Sequence, residues 1–152
     1  MEERPRLNAS QQSLIYVVLA LGLIGILDAG FLVYKHYTGG ALPCTIFEGC
    51  DVVTTSRYSA ILGVPISVPG LLYYVYIFGM ALAVLDKKNL NFLKYLFYPS
   101  AVGLLFSVYL VAIQVFVLHS ICMYCMISAV NSVLIFSIVA YLYFKFRPKK
   151  NI

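Results

Sequence analysis

The pattern of hydrophobic positions divides the chain into four long apolar stretches. They cover residues 14–37, 66–85, 95–118 and 121–144. A helix that crosses the hydrocarbon core of a bilayer needs about 20 mostly apolar residues, and each stretch has about this length. The pattern therefore predicts an all-α membrane protein, with a bundle of four transmembrane helices in one domain over residues 1–152.

The polar connections between these stretches differ greatly in length. Residues 38–65 form one long loop, in which Asp51 is placed to cap a short helix that ends near Leu62. A short charged turn joins the second and third helices, and only His119 and Ser120 separate the third from the fourth. So short a connection predicts that the last two helices form an antiparallel hairpin.

The composition supports a membrane environment over a soluble one. Hydrophobic residues make up 62% of the chain and charged residues 11%. Soluble domains average about 45–50% apolar and about 25% charged residues, so this chain has too few charges to cover a surface in water. No basic patch is interleaved with aromatic residues, and we therefore expect no binding of nucleic acid.

The distribution of positive charge predicts the orientation of the helices. Of the 11 Lys and Arg residues, all but Lys35 and Arg57 lie before the first helix, in the turn between helices two and three, or near the C-terminus. Short cytoplasmic loops of membrane proteins are enriched in Lys and Arg. Both termini are therefore expected in the cytoplasm, and the long loop and the His119–Ser120 turn on the opposite side.

The four cysteines fall into two pairs that this topology places at the same membrane face. Cys44 and Cys50 lie in the long loop, and Cys122 and Cys125 form a C-x-x-C at the start of the fourth helix. The extracytoplasmic side is the one where disulfides persist. Because a helix N-terminus stabilises a thiolate, a C-x-x-C there suits redox chemistry, and the loop pair could pass electrons to it by thiol–disulfide exchange.

Other uses of four cysteines remain open at this point. Two structural disulfides would staple a membrane subunit without activity, and a C-x-x-C is also a common half of a zinc site. A small membrane protein that binds or transports a soft metal through paired cysteines is the main alternative to a redox enzyme. Such a transporter would need ligands along its pathway, and the first three helices contain no cysteine.

Among the polar residues within the apolar stretches, four are candidates for function or for contacts between helices. Asp28 lies near the outer end of the first helix, where a carboxyl group is costly and commonly functional. It is expected either to hold a proton for quinone chemistry or to fix a contact between helices. Gln114, Ser128 and Asn131 are expected to hydrogen-bond between helices.

The motifs of the chain resemble the vitamin K epoxide reductase family in its bacterial and archaeal form. The resemblance covers residues 14–145 and agrees in the order of its motifs, in their spacing and in the predicted topology. Its motifs are Cys44-x5-Cys50-Asp51, Ser56-x-Tyr58, Gly63-x-Pro65-x-Ser67-x-x-Gly70 and Cys122-x-Tyr124-Cys125-x-x-Ser128-Ala129.

This resemblance implies a bundle that surrounds a quinone of the ubiquinone or menaquinone (vitamin K) type. Cys125 matches the thiol that reacts with the quinone, and Cys122 the thiol that exchanges with the loop pair. Cys44 and Cys50 match the pair that receives electrons from a thioredoxin-like or DsbA-like protein, in which disulfides are then formed. Ser56 matches a loop serine near the active site, so it joins Cys125 and Asp28 as a candidate quinone-binding residue.

Departures from the family pattern sharpen these expectations. Many bacterial relatives carry a fused thioredoxin-like domain, and because this sequence ends at Ile152 we expect a separate redox partner. Ile66 and Ala129 stand where the vertebrate enzymes have the Asn and Tyr that contact vitamin K, so reduction of a plain quinone is expected rather than of an epoxide. A prokaryotic cell membrane is the expected location. The tail 149–152 resembles a dilysine retrieval signal, which makes the endoplasmic reticulum the alternative.

Overall fold

The computed structural model describes residues 7–44 and 49–146, and within them four helices are long and apolar enough to cross a membrane. The predicted four-helix membrane architecture is thereby confirmed. The orientation of the helices across the bilayer stays a prediction. The tail 149–152 and the cations Arg4, Arg6 and Arg147 lie outside the described residues, whereas Lys145 lies within them. The elements are the helices α1 (Ala9–Thr38), α2 (Cys50–Thr55), α3 (Ser67–Lys87), α4 (Leu93–Ala112) and α5 (Met123–Phe146), and the strands β1 (Ala60–Ile61) and β2 (Val64–Pro65).

Helix α1 begins several residues before the apolar stretch that predicted it. The backbone N–H of Asn8 donates to Oε1 of Gln11 at 2.9 Å, so the first turn is stabilised by polar side chains ahead of the apolar run. The helix ends at Gly39, whose φ of 66° is left-handed and whose N–H donates to the carbonyl of Lys35. A glycine adopts this conformation without strain, which explains the sharp end of the helix.

The helices pack as a bundle in which α1 contacts mainly α3 and α5, and α4 contacts mainly α5. Gly25 permits the approach of α1 to α3, because a Cβ there would lie 2.2 Å from Cδ1 of Tyr74. The core residues are buried and almost all apolar, and they extend from the start of α1 to the end of α5: Leu7, Ile15, Val18, Ala29, Tyr74, Ile77, Ala81, Val84, Leu90, Leu93, Leu96, Ile135, Val139 and Leu142.

Pro99 lies inside α4 and removes one hydrogen bond from the helix. A proline has no N–H to donate to the carbonyl four residues earlier, which here is that of Tyr95. The hydroxyl of Tyr76 on α3 donates to that carbonyl at 3.2 Å. The lost bond within the helix is therefore replaced by one between helices, as an apolar environment requires.

The long loop contains more structure than the single short helix expected from the sequence. Helix α2 begins after Gly49 and ends at Thr55, so the prediction that Asp51 caps a helix reaching Leu62 was wrong. Asp51 lies in the first turn instead, where its carboxylate accepts from the N–H of Leu42 at 3.4 Å. A 3-10 turn and the antiparallel hairpin of β1 and β2 follow, and the loop packs over one end of the bundle.

Candidate active site

The fold brings both cysteine pairs together at the end of the bundle that the loop covers. Cys44 and Cys50 form a disulfide with a Cα–Cα distance of 6.4 Å, while Cys122 and Cys125 are thiols. Cys50 and Cys122 are 1% and 0% exposed and belong to one buried cluster with Val53. Cys44 and Cys125 pack against that cluster. The loop disulfide thus lies against the C-x-x-C despite the long sequence separation.

Gly49 allows this approach of the loop to the C-x-x-C. A Cβ at Gly49 would lie 2.8 Å from the backbone nitrogen of Ile121 and 2.9 Å from its oxygen. These are backbone atoms directly before Cys122, and they cannot move aside like the end of a flexible side chain. A glycine is therefore needed at the residue that precedes Cys50.

Cys122 is held at the N-terminus of α5 by two backbone contacts. Its carbonyl accepts from the N–H of Met126 at 3.0 Å, and its N–H donates to Oε1 of Gln114 at 3.0 Å. Gln114 lies in the π-helical turn Ile113–Val117 that extends α4, and it is buried. Single π-helical turns are frequent at functional sites, and this one contains the side chain that fixes the backbone of Cys122.

The surroundings of Cys122 favour its thiolate form. A hydrogen bond with the Cys125 thiol and the backbone N–H groups of Cys125 and Tyr124 lower the pKa of Cys122 from 9.0 to about 7. Burial and the nearby Asp28 carboxylate act in the opposite direction. These contacts favour the participation of Cys122 in exchange, because the thiolate is the form that attacks disulfides.

A cavity of about 750 Å³ opens beside the C-x-x-C, between the loop and the helices. Its size lies in the usual range of small-molecule sites. The loop and the four long helices all contribute to its walls. They include Asp28, Leu42, Asp51, Val53, Ser56, Ile66, Pro69, Tyr73, Tyr74, Gly103, Phe106, Leu110, Gln114, Cys125, Ser128, Ala129 and Ser132.

The polar side chains in this wall differ in how well they are satisfied. The hydroxyl of Tyr74 donates to the carbonyl of Ser128 at 2.8 Å and contacts the hydroxyls of Ser128 and Ser132. By contrast, Oδ2 of Asp28 is buried without a hydrogen bond to any described residue. The lining of the cavity therefore includes one carboxyl group with a buried oxygen that the described residues leave unpaired.

The other polar residues singled out in the sequence form hydrogen bonds in the structure. Ser56 lines the cavity, and its hydroxyl donates to the carbonyl of Val53 at 2.8 Å. The expected hydrogen bonds between transmembrane elements are present: Asn131 donates to the carbonyl of Leu21, and Gln114 and Ser128 bond as described above. Within the part of the chain described, no three His, Cys, Asp or Glu side chains are arranged to hold a metal ion.

The sequence alone does not distinguish Tyr73 from Tyr74. Tyrosines in an apolar span are typical of the lipid interface and of bundle packing, so residue type alone indicates neither contact. The adjacency of the two tyrosines does indicate that their surroundings differ, because neighbouring residues of a helix point in different directions.

The fold and the site define a multi-pass membrane protein with a thiol–disulfide centre buried at one end of its helices. The model of the Vitamin K epoxide reductase family matches residues 16–140, and the chain therefore belongs to this family. It is a membrane thiol oxidoreductase of a family that uses quinone-type substrates. The resemblance inferred from the motifs is confirmed, and the bacterial or archaeal origin stays a prediction.

Proposed function

We propose that this protein oxidises thiols of a separate thioredoxin-like or DsbA-like protein and transfers the electrons to a quinone. The observation that carries the proposal is the burial of Cys50 against Cys122, next to a cavity that reaches Cys125. A structural disulfide alone would not need a second pair of thiols against it. The proposal assigns catalytic roles to all four cysteines.

The loop pair is proposed to react first with the partner protein. Cys44 is more exposed than Cys50, so a thiolate of the partner attacks the sulfur of Cys44 and displaces Cys50 as a thiolate. The second thiol of the partner then displaces Cys44. The partner gains a disulfide, and the loop pair gains two electrons and two protons as two thiols.

The second exchange is proposed to occur inside the protein, when Cys122 and Cys125 form a disulfide. The thiolate of Cys50 attacks Cys122 and displaces Cys125, and Cys44 then displaces Cys122 from Cys50. This restores the loop disulfide and leaves Cys122 and Cys125 as thiols, the combination found in the structure. The lowered pKa of Cys122 makes it a good leaving group in the last step.

The cavity suits a quinone of the ubiquinone or menaquinone type. It is large, mostly apolar and contains few polar groups, as expected of a site for a flat ring. When bound, the quinone supplies an acceptor for two electrons and two protons. Cys125 lines the cavity and is assigned as the thiol that reacts with it. Asp28 lines the same wall and is assigned to carry a proton released when the C-x-x-C is oxidised.

We infer that the site faces the extracytoplasmic side. This orientation follows from the positive charges at both termini and in the turn between α3 and α4. It places Cys44 in an oxidising compartment, where partner proteins require disulfides. A prokaryotic cell membrane is the proposed location, with the endoplasmic reticulum membrane as the alternative.

The function is tested by counting thiols in the purified, fully reduced protein under anaerobic conditions before and after adding excess ubiquinone or menaquinone analogue. The wild type should lose its thiols, and Cys125→Ser should leave the quinone unreduced. Cys50→Ser should block oxidation of a thioredoxin-like protein, whereas a small dithiol still reduces the C-x-x-C directly. If no quinone reoxidises the Cys122/Cys125 pair, the proposal fails.

A further inference from the structure

The side-chain amide of Gln114 has two ends with different surroundings. Its oxygen, Oε1, is an acceptor, and its nitrogen, Nε2, is a donor with two hydrogens. Oε1 accepts from the backbone N–H of Cys122 at 3.0 Å. The acceptor end is therefore used by the protein, and the surroundings of the donor end decide whether Gln114 can also bind a ligand.

The donor end of Gln114 is open to the cavity. Nε2 donates to no residue in the part of the chain described, and it is not among the unpaired atoms that are fully buried. The residue as a whole is only 2% exposed and lines the cavity, whereas the next two residues, Val115 and Phe116, are exposed on the outer surface. The surface that Gln114 retains therefore faces the cavity, where a ligand can reach the nitrogen.

The backbone around Gln114 fixes the orientation of this amide. Its main-chain carbonyl accepts from the N–H of Ser120 at 3.1 Å, which anchors the residue in the turn between α4 and α5. If Oε1 and Nε2 exchanged places, two donors would meet, and the buried N–H of Cys122 would lose its acceptor, which is costly. Nε2 is thus oriented before a ligand arrives, and binding does not have to order it.

Hydroxyl groups in the lining of the cavity are further donors, among them those of Tyr58, Ser67 and Ser107. A quinone has two oxygens, so a second donor elsewhere in the wall is compatible with Gln114. Gln114 differs from these residues because it is bonded to Cys122, which begins the turn that contains Cys125. Its donor therefore lies on the same side of the cavity as the thiol that is assigned to react with the quinone.

We propose that Nε2 of Gln114 donates a hydrogen bond to a ring oxygen of the quinone and so holds the ring beside Cys125. The inference rests on the proposed function, since it assumes that a quinone occupies the cavity. The same donor stabilises the negative charge that develops on this oxygen as the ring is reduced. A ring without oxygens fills the same apolar space and gains nothing from Gln114.

The test measures binding to the fully oxidised protein in lipid nanodiscs, with both cysteine pairs as disulfides so that no turnover occurs. The probes are duroquinone, which has no free ring position for attack by a thiol, and durene, which has the same methyl groups without the oxygens. In Gln114→Met, which has a similar length and no donor, the Kd for duroquinone by titration calorimetry should rise about three- to tenfold, the loss expected for one neutral hydrogen bond. The Kd for durene should stay unchanged.

Gln114→Glu separates donation to the ligand from support of Cys122, and it carries the test if Gln114→Met does not fold. Its carboxylate keeps an acceptor for the N–H of Cys122 but has no hydrogen to donate. At about pH 9.5, where even a buried glutamate is ionised, this variant should lose the preference for duroquinone over durene at least as fully as Gln114→Met. A preference equal to that of the wild type at the same pH would show that Gln114 acts only through Cys122 and would overturn the inference.

Val115→Ala is the matched control, because it changes the same π-helical turn at a side chain that faces outward. It should leave the Kd values for both probes unchanged. An equal loss of preference in Val115→Ala and Gln114→Met would assign the effect to the conformation of the turn, and Gln114 would then not be the donor.

The failure of this inference can be distinguished from the failure of the proposed function. If Gln114→Met and Gln114→Glu bind duroquinone like the wild type, while quinone still reoxidises the wild-type Cys122/Cys125 pair, Gln114 is not the donor and the proposed function stands. If the wild type neither binds duroquinone more tightly than durene nor is reoxidised by quinone, both are wrong.

Discussion

The two ends of the bundle are built in opposite ways. At the end that contains the start of α1 and the end of α5, the helices enclose fully buried apolar side chains such as Ile15, Leu96 and Leu142. At the other end, the helices and the loop surround a cavity, and Oδ2 of Asp28, one of its lining residues, has no partner among the described residues. One end is packed like the interior of any stable protein, whereas the other leaves space and hydrogen-bonding capacity unused.

A layer of hydrogen bonds between the helices lies between these two ends. Tyr74 joins α3 to Ser128 and Ser132 of α5, and Asn131 joins α5 to the carbonyl of Leu21 in α1. These contacts hold three helices together where the tight packing stops. We infer that the packed end and this layer supply the stability of the fold, which leaves the open end available for binding and catalysis. Changes at the open end should therefore alter turnover, and changes at the packed end should alter stability.

Among changes outside the four cysteines, the largest effect on turnover is expected from Asp28→Asn. The amide has nearly the same shape but cannot carry a proton, so quinone reduction should slow roughly a hundredfold or more, as for loss of a general acid or base. Asp28 forms no hydrogen bond through Oδ2, and its removal should leave the melting temperature near that of the wild type. Stopped-flow measurement of quinone reduction by pre-reduced protein checks this. A mutant with normal turnover would show that Asp28 does not handle protons.

A smaller effect is expected from Gly49→Ala. The added Cβ meets the backbone of Ile121, so the loop disulfide is displaced from Cys122 and the exchange between the two pairs should slow roughly ten- to a hundredfold. Direct reduction of the C-x-x-C by a small dithiol should not change. Gly79→Ala is the control, because a Cβ there meets no atom within 4 Å. Equal rates of partner oxidation in the two variants would contradict the role of this close approach.

The smallest effect on turnover, and the largest on stability, is expected at the packed end. Leu96→Ala leaves a cavity at a fully buried site and should lower the free energy of unfolding by about 2–5 kcal/mol. Turnover per folded molecule should stay the same. Leu105→Ala on the same helix is the comparison, since Leu105 is 71% exposed and should change stability little. Reversible unfolding in mixed detergent measures stability, and turnover at low temperature measures activity per folded molecule. If Leu96→Ala lowered turnover as much as stability, the assignment of stability to the packed end and of chemistry to the open end would be wrong.

The sequence predicted the helices well because hydropathy acts over about 20 residues and needs no knowledge of neighbours. It also predicted that the cysteines gather at one end, since the order of spans and loops places them there. The close contact of Gly49 with Ile121 could not be predicted, because it depends on how two distant backbones meet. Tyr73 and Tyr74 are equivalent in hydropathy, and only the positions of Gly103 and Ser128 distinguish them. Leu62 and Gly63 form the turn between β1 and β2, and both have a positive φ. Leucine seldom adopts this conformation, so residue type alone did not indicate the turn.

Because the hydroxyl of Tyr76 replaces the hydrogen bond that Pro99 removes from α4, the residues tolerated at positions 76 and 99 depend on each other. If Pro99 is exchanged for a residue with an N–H, the carbonyl of Tyr95 regains its partner within the helix and keeps a second lone pair for the hydroxyl of Tyr76. If Tyr76 is exchanged first, the carbonyl is left unpaired in an apolar environment. Loss of the Tyr76 hydroxyl is therefore expected to be tolerated better in a chain whose residue 99 has an N–H than in one with Pro99.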